Sequence, residues 1–125
     1  MTTPIGLDGK RGYVNASMSR KVWVYDRTDD GGLRNKRLLI SFADFGMDGM
    51  RCDADGNVYI ARSDAGQIAA VSPQGKLLRT VALKGRKASN VAFGGADRRQ
   101  VFVTLQDRGA VEIFRSDRRG RETGL

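Results

Sequence analysis

The sequence contains no histidine and only one cysteine, Cys52. The absence of histidine excludes Ser-His-Asp and Cys-His catalysis, and it excludes any metal site built on imidazole. A single cysteine excludes an internal disulfide and a cysteine-cluster zinc site, and its apolar neighbours indicate a buried structural thiol. The groups that remain for catalysis or for holding a metal are carboxylate and amide oxygens.

Long apolar runs are also missing. The longest, within residues 38–43, is interrupted by a serine and falls far short of the roughly 18 residues that a membrane-spanning helix needs. Residues 1–10 have neither the basic start nor the apolar centre of a secretory signal. We therefore expect no membrane partner and a cytoplasmic location.

Acidic residues are outnumbered, with 14 Asp and Glu against 22 Lys and Arg, which gives a net charge of +8. Such an excess is one mark of proteins with anionic partners. Here the basic residues are scattered through turns, at 34–37, 84–87, 98–99 and 118–121, and no helix or aromatic-rich stripe collects them. This pattern indicates a solvated surface and argues against a nucleic-acid partner.

What the sequence does contain is an internal repeat. Three segments align without gaps: GYVNASMSRKVWVYD, VYIARSDAGQIAAVS and VFVTLQDRGAVEIFR, which begin at Gly12, Val58 and Val101. The spacing between equivalent residues is about 45 residues, within the range of repeat architectures. Each segment has a β-rich run, a polar turn and a second alternating run, which is typical of an antiparallel hairpin.

Additional strand-like runs flank these hairpins at residues 37–42, 49–53, 77–83 and 90–93. Four antiparallel strands in each repeat, without a helix, are typical of a β-propeller blade. With strands named A to D from the centre outward, the chain gives B-C-D, A-B-C-D and A-B-C, or about two and a half blades. A β-sandwich is the alternative, but it does not explain the regular repeat.

The 125 residues are expected to form one all-β domain, 1–125, with blade repeats near 1–43, 44–84 and 85–125. A propeller usually needs at least four blades to close its ring, so one copy leaves apolar blade faces exposed. A symmetric homodimer that closes one ring is the structural hypothesis. A truncated chain without a stable fold is the competing possibility.

Strand direction predicts which polar residues share a rim of the blades. The D-to-A and B-to-C connections emerge on one rim, so Asp48, just before a strand A, lies there near the axis with Ser89 and Asn90. Farther out on this rim come residues 62–64 and 106–107. From spacing alone, Asp48 is an ordinary turn residue of an Asp-Gly pair.

Asp53, Asp55 and Asn57 are expected on the opposite rim. Their spacing resembles the start of an EF-hand loop, but Val58 stands where that loop needs glycine. A plain β-turn is therefore the prediction.

Residues 47–61 resemble the "PDG, then D-x-x-G-x-hydrophobic" element of the gluconolactonase, regucalcin (senescence marker protein) and luciferin-regenerating-enzyme family. Residues 89–97 and 101–104 resemble the family's "T-N-x-x-F-G-G-x-D" stretch and its "L-Y-V-T" strand. Residues 7–14 and 22–31 resemble the preceding blade. The resemblance covers nearly the whole chain, but only the later blades of a six-bladed family member.

This resemblance implies hydrolysis of sugar lactones at a divalent metal, held by oxygen ligands at the mouth of the central tunnel. The family's Asp-Gly aspartate matches Asp48, which is thereby a candidate metal ligand and the candidate catalytic base. Asn90, on the same rim, is a second candidate ligand. Ca²⁺, Mg²⁺, Mn²⁺ or Zn²⁺ is the expected cofactor, and no substrate-binding residue can be mapped.

The chain departs from the family pattern at two ligands. The family's glutamate ligand belongs to a first blade that this chain lacks, and its Asn-Gly element would align near Met1-Thr2, where no asparagine stands. We therefore expect a sugar-lactone hydrolase that is complete only as an assembled oligomer. The alternative is a non-catalytic propeller fragment that binds a ligand or another protein.

Overall fold

The computed structural model describes residues 5–7, 10–16 and 18–120. Within them lie eleven strands and no helix: β1 (Ile5–Leu7), β2 (Arg11–Ala16), β3 (Lys21–Arg27), β4 (Leu33–Ser41), β5 (Met50–Cys52), β6 (Val58–Arg62), β7 (Gln67–Val71), β8 (Leu77–Ala82), β9 (Ala88–Gly94), β10 (Gln100–Leu105) and β11 (Ala110–Arg115). In this described part of the chain, no helix has the length and apolar character that crossing a membrane requires.

The strands form three antiparallel sheets in which consecutive strands are neighbours. Strands β1 to β4 make the first blade, β5 to β8 the second, and the three strands β9 to β11 the third. This is the blade arrangement of a β-propeller with an unclosed ring, so the predicted fold class is confirmed.

The sequence repeat corresponds to one hairpin geometry used three times. Tyr13 pairs with Val24, Tyr59 with Ala70, and Phe102 with Ile113. The partners are the same distance apart in sequence in all three hairpins. The gap-free alignment therefore reports equivalent positions in three blades.

The first blade differs from its sequence-based description because it has an innermost strand. Strand β1 pairs with β2 through Ile5 and Val14 and through Leu7 and Gly12. The sequence predicts no A strand here, since three residues are too few to show an alternating pattern. Strands β4 and β9 also begin earlier than expected, at Leu33 and Ala88.

Two apolar cores lie between the blades rather than within them. The first packs residues of blades one and two together: Tyr13, Val22, Val24, Met47, Met50, Cys52, Val58, Ile60 and Val71. The second joins blades two and three: Tyr59, Ala61, Ile68, Ala70, Ala88, Val91, Val101, Val103 and Leu105. In the second blade, alternate residues of β6 face the first core and the second core, because side chains alternate across a strand. Cys52 is buried in the first core, as predicted.

The third blade shows what a missing neighbour does to this pattern. Val22 and Val24 of the first blade are 0% and 3% exposed, because the second blade covers them. Their equivalents in the third blade, Val111 and Ile113, are 54% and 57% exposed. Among the described residues, the third blade therefore presents an uncovered apolar face.

Candidate functional site

The backbone of Asp48 and Gly49, called here the Asp48–Gly49 step, is hydrogen-bonded to all three blades. Asn15 of β2 donates from Nδ2 to the Asp48 carbonyl at 2.7 Å. The Asp48 amide donates to the carbonyl of Ala61 in β6 at 2.9 Å, and the Gly49 amide donates to the carbonyl of Ser89 in β9 at 2.8 Å. The backbone that carries the Asp48 side chain is therefore fixed at the inner meeting point of the blades.

Gly49 is required here by the closeness of the third blade. A Cβ atom at this position would lie 2.3 Å from Oδ1 and 3.0 Å from Cα of Asn90. Real Cβ atoms do not approach other atoms so closely, so any side chain would push the two blades apart. The Asp-Gly sequence thus reflects packing against Asn90.

The Asp48 carboxylate is half-buried. Among the described residues, none gives it a hydrogen bond or an ion pair, and its removal from water raises the pKa of Asp48 above the ordinary value of 3.8. A desolvated carboxylate without a partner is costly to maintain. Such groups are concentrated at binding and catalytic sites.

Asn90 lies directly beside this step, exposed on β9. Its Oδ1 accepts a hydrogen bond from the amide of Val91 at 2.9 Å, which leaves capacity for another contact. Ser89 bonds through its hydroxyl to the Thr104 hydroxyl at 2.8 Å. The structure therefore brings together Asp48, Ser89 and Asn90, the three residues expected near the axis of this rim.

Asn15 belongs to the same group, and the sequence analysis missed it. Its side chain is 1% exposed, and no hydrogen-bond partner of its Oδ1 occurs in the described part of the chain. A buried amide oxygen without a partner is unusual in a folded protein. One sequence feature could have identified Asn15: it is a polar residue at an inward-facing position of an alternating strand, two residues after Tyr13.

Arg62, expected farther out on the rim, is a buried anchor. Its guanidinium lies 3.7 Å from the centre of the Phe42 ring and donates to the carbonyls of Asp44 and Gly46. It thereby holds the segment that leads to Asp48. The salt bridge from Arg62 to the exposed Asp44 carboxylate, at 3.5 Å, adds to this attachment.

The acidic cluster of the opposite rim is a turn, as predicted. Asp53 is 1% exposed, and its Oδ1 accepts from the amides of Asp55 and Asn57 at 2.9 and 3.0 Å. Its Oδ2 accepts from the Asn57 side chain at 2.9 Å. Both carboxylate oxygens are committed to closing the connection between β5 and β6.

Metal-binding capacity at the inner rim is limited to oxygen donors. No cluster of three or more His, Cys, Asp or Glu suited to a metal occurs in residues 5–7, 10–16 and 18–120. The Asp48 carboxylate with the amide oxygens of Asn15 and Asn90 has the hard-donor chemistry that Ca²⁺ and Mg²⁺ prefer. It is only part of the six to eight oxygens that Ca²⁺ takes. Positions Met1 and Thr2, where the family's asparagine would align, lie outside the described residues.

The meandering blades of three or four strands, together with a fixed aspartate at their inner rim that has no partner among the described residues, define an incomplete β-propeller with a candidate site beside its axis. Residues 3–107 match the family model described as the SMP-30/Gluconolactonase/LRE-like region. The chain belongs to this family, and the resemblance seen in the motifs is confirmed.

Individual relatives agree with this assignment. The chain is 32% identical over 102 residues to regucalcin of Danio rerio, which covers 78% of this chain and 35% of the relative. It is 30% identical over 106 residues to the 6-deoxy-6-sulfogluconolactonase of Pseudomonas putida, covering 81% of this chain and 36% of that enzyme. The chain thus spans about a third of the length of these relatives.

A solved structure shows the shared fold. The calcium-binding protein regucalcin from Agrobacterium tumefaciens str. C58 aligns with a TM-score of 0.82 at 22% identity. The alignment covers 95% of this chain and 47% of that one. The three blades described here therefore correspond to just under half of a complete ring.

Proposed function

We propose that the protein is a metal-dependent sugar-lactone hydrolase of the gluconolactonase type, active as an assembled ring. The observation that carries this proposal is the Asp48 carboxylate, which has no partner among the described residues and sits on a backbone that is hydrogen-bonded to three blades. Family membership supports it, since one relative is named a sulfogluconolactonase and a structural neighbour is named a calcium-binding protein. The expectation of a cytoplasmic location stays a prediction.

The residues of this chain that would hold a divalent cation such as Ca²⁺, Mg²⁺, Mn²⁺ or Zn²⁺ are Asp48 and Asn90, together with Asn15. The chemistry that such a cation supplies when bound is polarisation of an ester carbonyl and a lowered pKa of water. The Asp48 carboxylate is the candidate to accept the proton that an attacking water loses.

A second copy of the chain is the proposed source of the missing blades and ligands. Val111 and Ile113 are exposed, whereas the equivalent residues of the other two blades are buried against the next blade. The third blade can therefore form the same kind of blade-to-blade interface with another copy. The first blade has a matching free face with Trp23 and Tyr25, both only half-buried. Two copies supply six sheets, the number in the six-bladed ring that the resemblance implies.

In this assembly the third blade of each copy packs on the first blade of the other. A two-fold axis along the tunnel then relates the copies, and the ring is closed without free blade faces. The two Asp48 side chains come to the same rim. The rim then carries two Asp48 carboxylates instead of one, and the second carboxylate adds a ligand that one copy does not supply.

The test is proton release from glucono-δ-lactone at constant pH, corrected for hydrolysis without protein. We expect a rate that chelator abolishes and divalent metal restores, and a loss of about 10²-fold or more in Asp48→Ala, because a general base contributes that much. Asp55→Ala, an exposed acid on the opposite rim, is the matched control and should keep the rate. A rate indifferent to chelator and to Asp48→Ala would refute the proposal and leave a non-catalytic binding module.

A further inference from the structure

A loop of four residues on the same rim as Asp48 is strongly basic. Lys84, Gly85, Arg86 and Lys87, called here the basic loop, connect β8 to β9 and therefore lie on the Asp48 rim. The loop ends two residues before Ser89, whose carbonyl accepts the Gly49 amide at 2.8 Å. At about 3.3 Å per residue of extended chain, the backbone of Lys87 lies within about 7 Å of that hydrogen bond. The earlier part of the loop lies farther out on the rim, where the carbonyl of Arg86 accepts the Gly66 amide at 3.2 Å.

Two carboxylates hold the backbone of the basic loop in place. Glu112 accepts the first two of its amides, at 2.9 Å each. Asp107 accepts the last two, at 2.8 and 3.1 Å. Four consecutive N–H groups are thus bonded to acids from the third blade, which makes the loop a fixed element.

Cationic side chains outnumber the carboxylates at this loop, although the charge of Lys87 acts on Asp107 and helps to lower the pKa of that carboxyl. Because the carboxylates of Glu112 and Asp107 are directed at the backbone, Lys84, Arg86 and Lys87 remain exposed, and none of the three has an ion-pair partner in the described part of the chain. Arg108 pairs with Glu112 at 3.0 Å, so the cluster holds four cations against the two carboxylates of Glu112 and Asp107 and keeps an excess of positive charge. Like charges fixed side by side repel one another, and a bound anion removes that repulsion.

From this geometry we infer that the lactone substrate carries an anionic substituent, and that the basic loop binds this group while the lactone carbonyl lies at Asp48. A phosphate, sulfonate or carboxylate remote from the carbonyl meets the requirement, because lysine and arginine both bind such oxyanions. The inference rests on the proposed lactonase function and adds the charge of its substrate.

The experiment compares glucono-δ-lactone with its 6-phosphate at equal ionic strength. We expect the parent protein to prefer the phosphorylated lactone by about tenfold in kcat/KM, mostly through KM, since substituent binding does not change at the transition state. The variant Lys84→Gln/Arg86→Gln/Lys87→Gln should lose this preference and keep its rate on the neutral lactone.

A matched control removes the same charge from the opposite rim. In the variant Arg34→Gln/Lys76→Gln/Arg119→Gln, the preference should persist, because these residues lie at the far ends of the blades. Loss of the preference in both triple variants would show that only overall charge matters and would overturn the inference. An unchanged preference in the basic-loop variant would overturn it as well.

A binding measurement separates failure of this inference from failure of the proposed activity. Calorimetric titration with 6-phosphogluconate, gluconate and inorganic phosphate needs no turnover. Stronger binding of 6-phosphogluconate than of the other two, lost in the basic-loop variant, supports the inference even if neither lactone is hydrolysed. Equal binding of 6-phosphogluconate by the parent and the basic-loop variant contradicts it, even if hydrolysis is observed.

Discussion

Replacing Gly49 with alanine tests whether the Asp48–Gly49 step is packed directly on the third blade. The new Cβ would lie 2.3 Å from Oδ1, 2.9 Å from Cγ and 3.0 Å from Cα of Asn90. Rotation of the Asn90 side chain relieves the first two contacts, but the third involves the backbone of β9. Overpacking of this kind costs about 1–3 kcal/mol, so the free energy of unfolding should fall by about that amount.

A double-mutant cycle with Asn90→Ala isolates the contact. Asn90→Ala removes Oδ1 and Cγ but leaves Cα, so Gly49→Ala/Asn90→Ala should recover about half of the loss, a coupling of about 1 kcal/mol. Urea unfolding followed by the fluorescence of Trp23, the only tryptophan in the sequence, measures all four proteins. A Gly49→Ala variant as stable as the parent, or strictly additive effects, would refute this packing.

Three further predictions concern carboxylates. Burial raises the pKa of Asp48, so its charged form destabilises the folded state as pH rises through that pKa. At pH 7, Asp48→Asn should therefore melt at an equal or higher temperature than the parent, while lactone hydrolysis is lost. A clear drop in Tm would contradict this. Asp53→Ala removes the acceptor of three hydrogen bonds in a buried turn and should cost about 2–3 kcal/mol in urea unfolding, whereas a loss under 0.5 kcal/mol would count against the turn. Backbone hydrogen bonds from the basic loop hold the pKa of Asp107 below 3.8, so its stabilisation is present above that pH and disappears as pH falls through the lowered pKa. Thermal melts between pH 6 and 2.5 should therefore show a larger loss of Tm in the parent than in Asp107→Asn, and identical profiles would be inconsistent with this.

The blades and the placement of residues on their rims could be predicted because both follow from local pattern. Tyr13, Tyr59 and Phe102 mark one hairpin register, and a hairpin's register is fixed by its own turn and alternation. Once the strand directions are known, the rim of Asp48 is fixed, and so is the opposite rim of Asp53. Strand β1 could not be predicted, because its three residues are held by pairing with β2 and the sequence has no local pattern that indicates this pairing.

The contacts around the candidate site could not be read from the sequence, because they join residues far apart in the chain. The bond from Asn15 to the Asp48 carbonyl spans 33 residues, and the need for glycine at position 49 arises from Asn90 in the next blade. The basic loop likewise looked like a solvated turn. Its fixed backbone depends on Glu112, which lies 28 residues beyond Lys84.

Light scattering coupled to size-exclusion chromatography tests most directly the claim that one copy provides half of a ring and a second copy completes it. The account predicts a single species with twice the mass of the chain. A stable, folded species with the mass of one chain would contradict it.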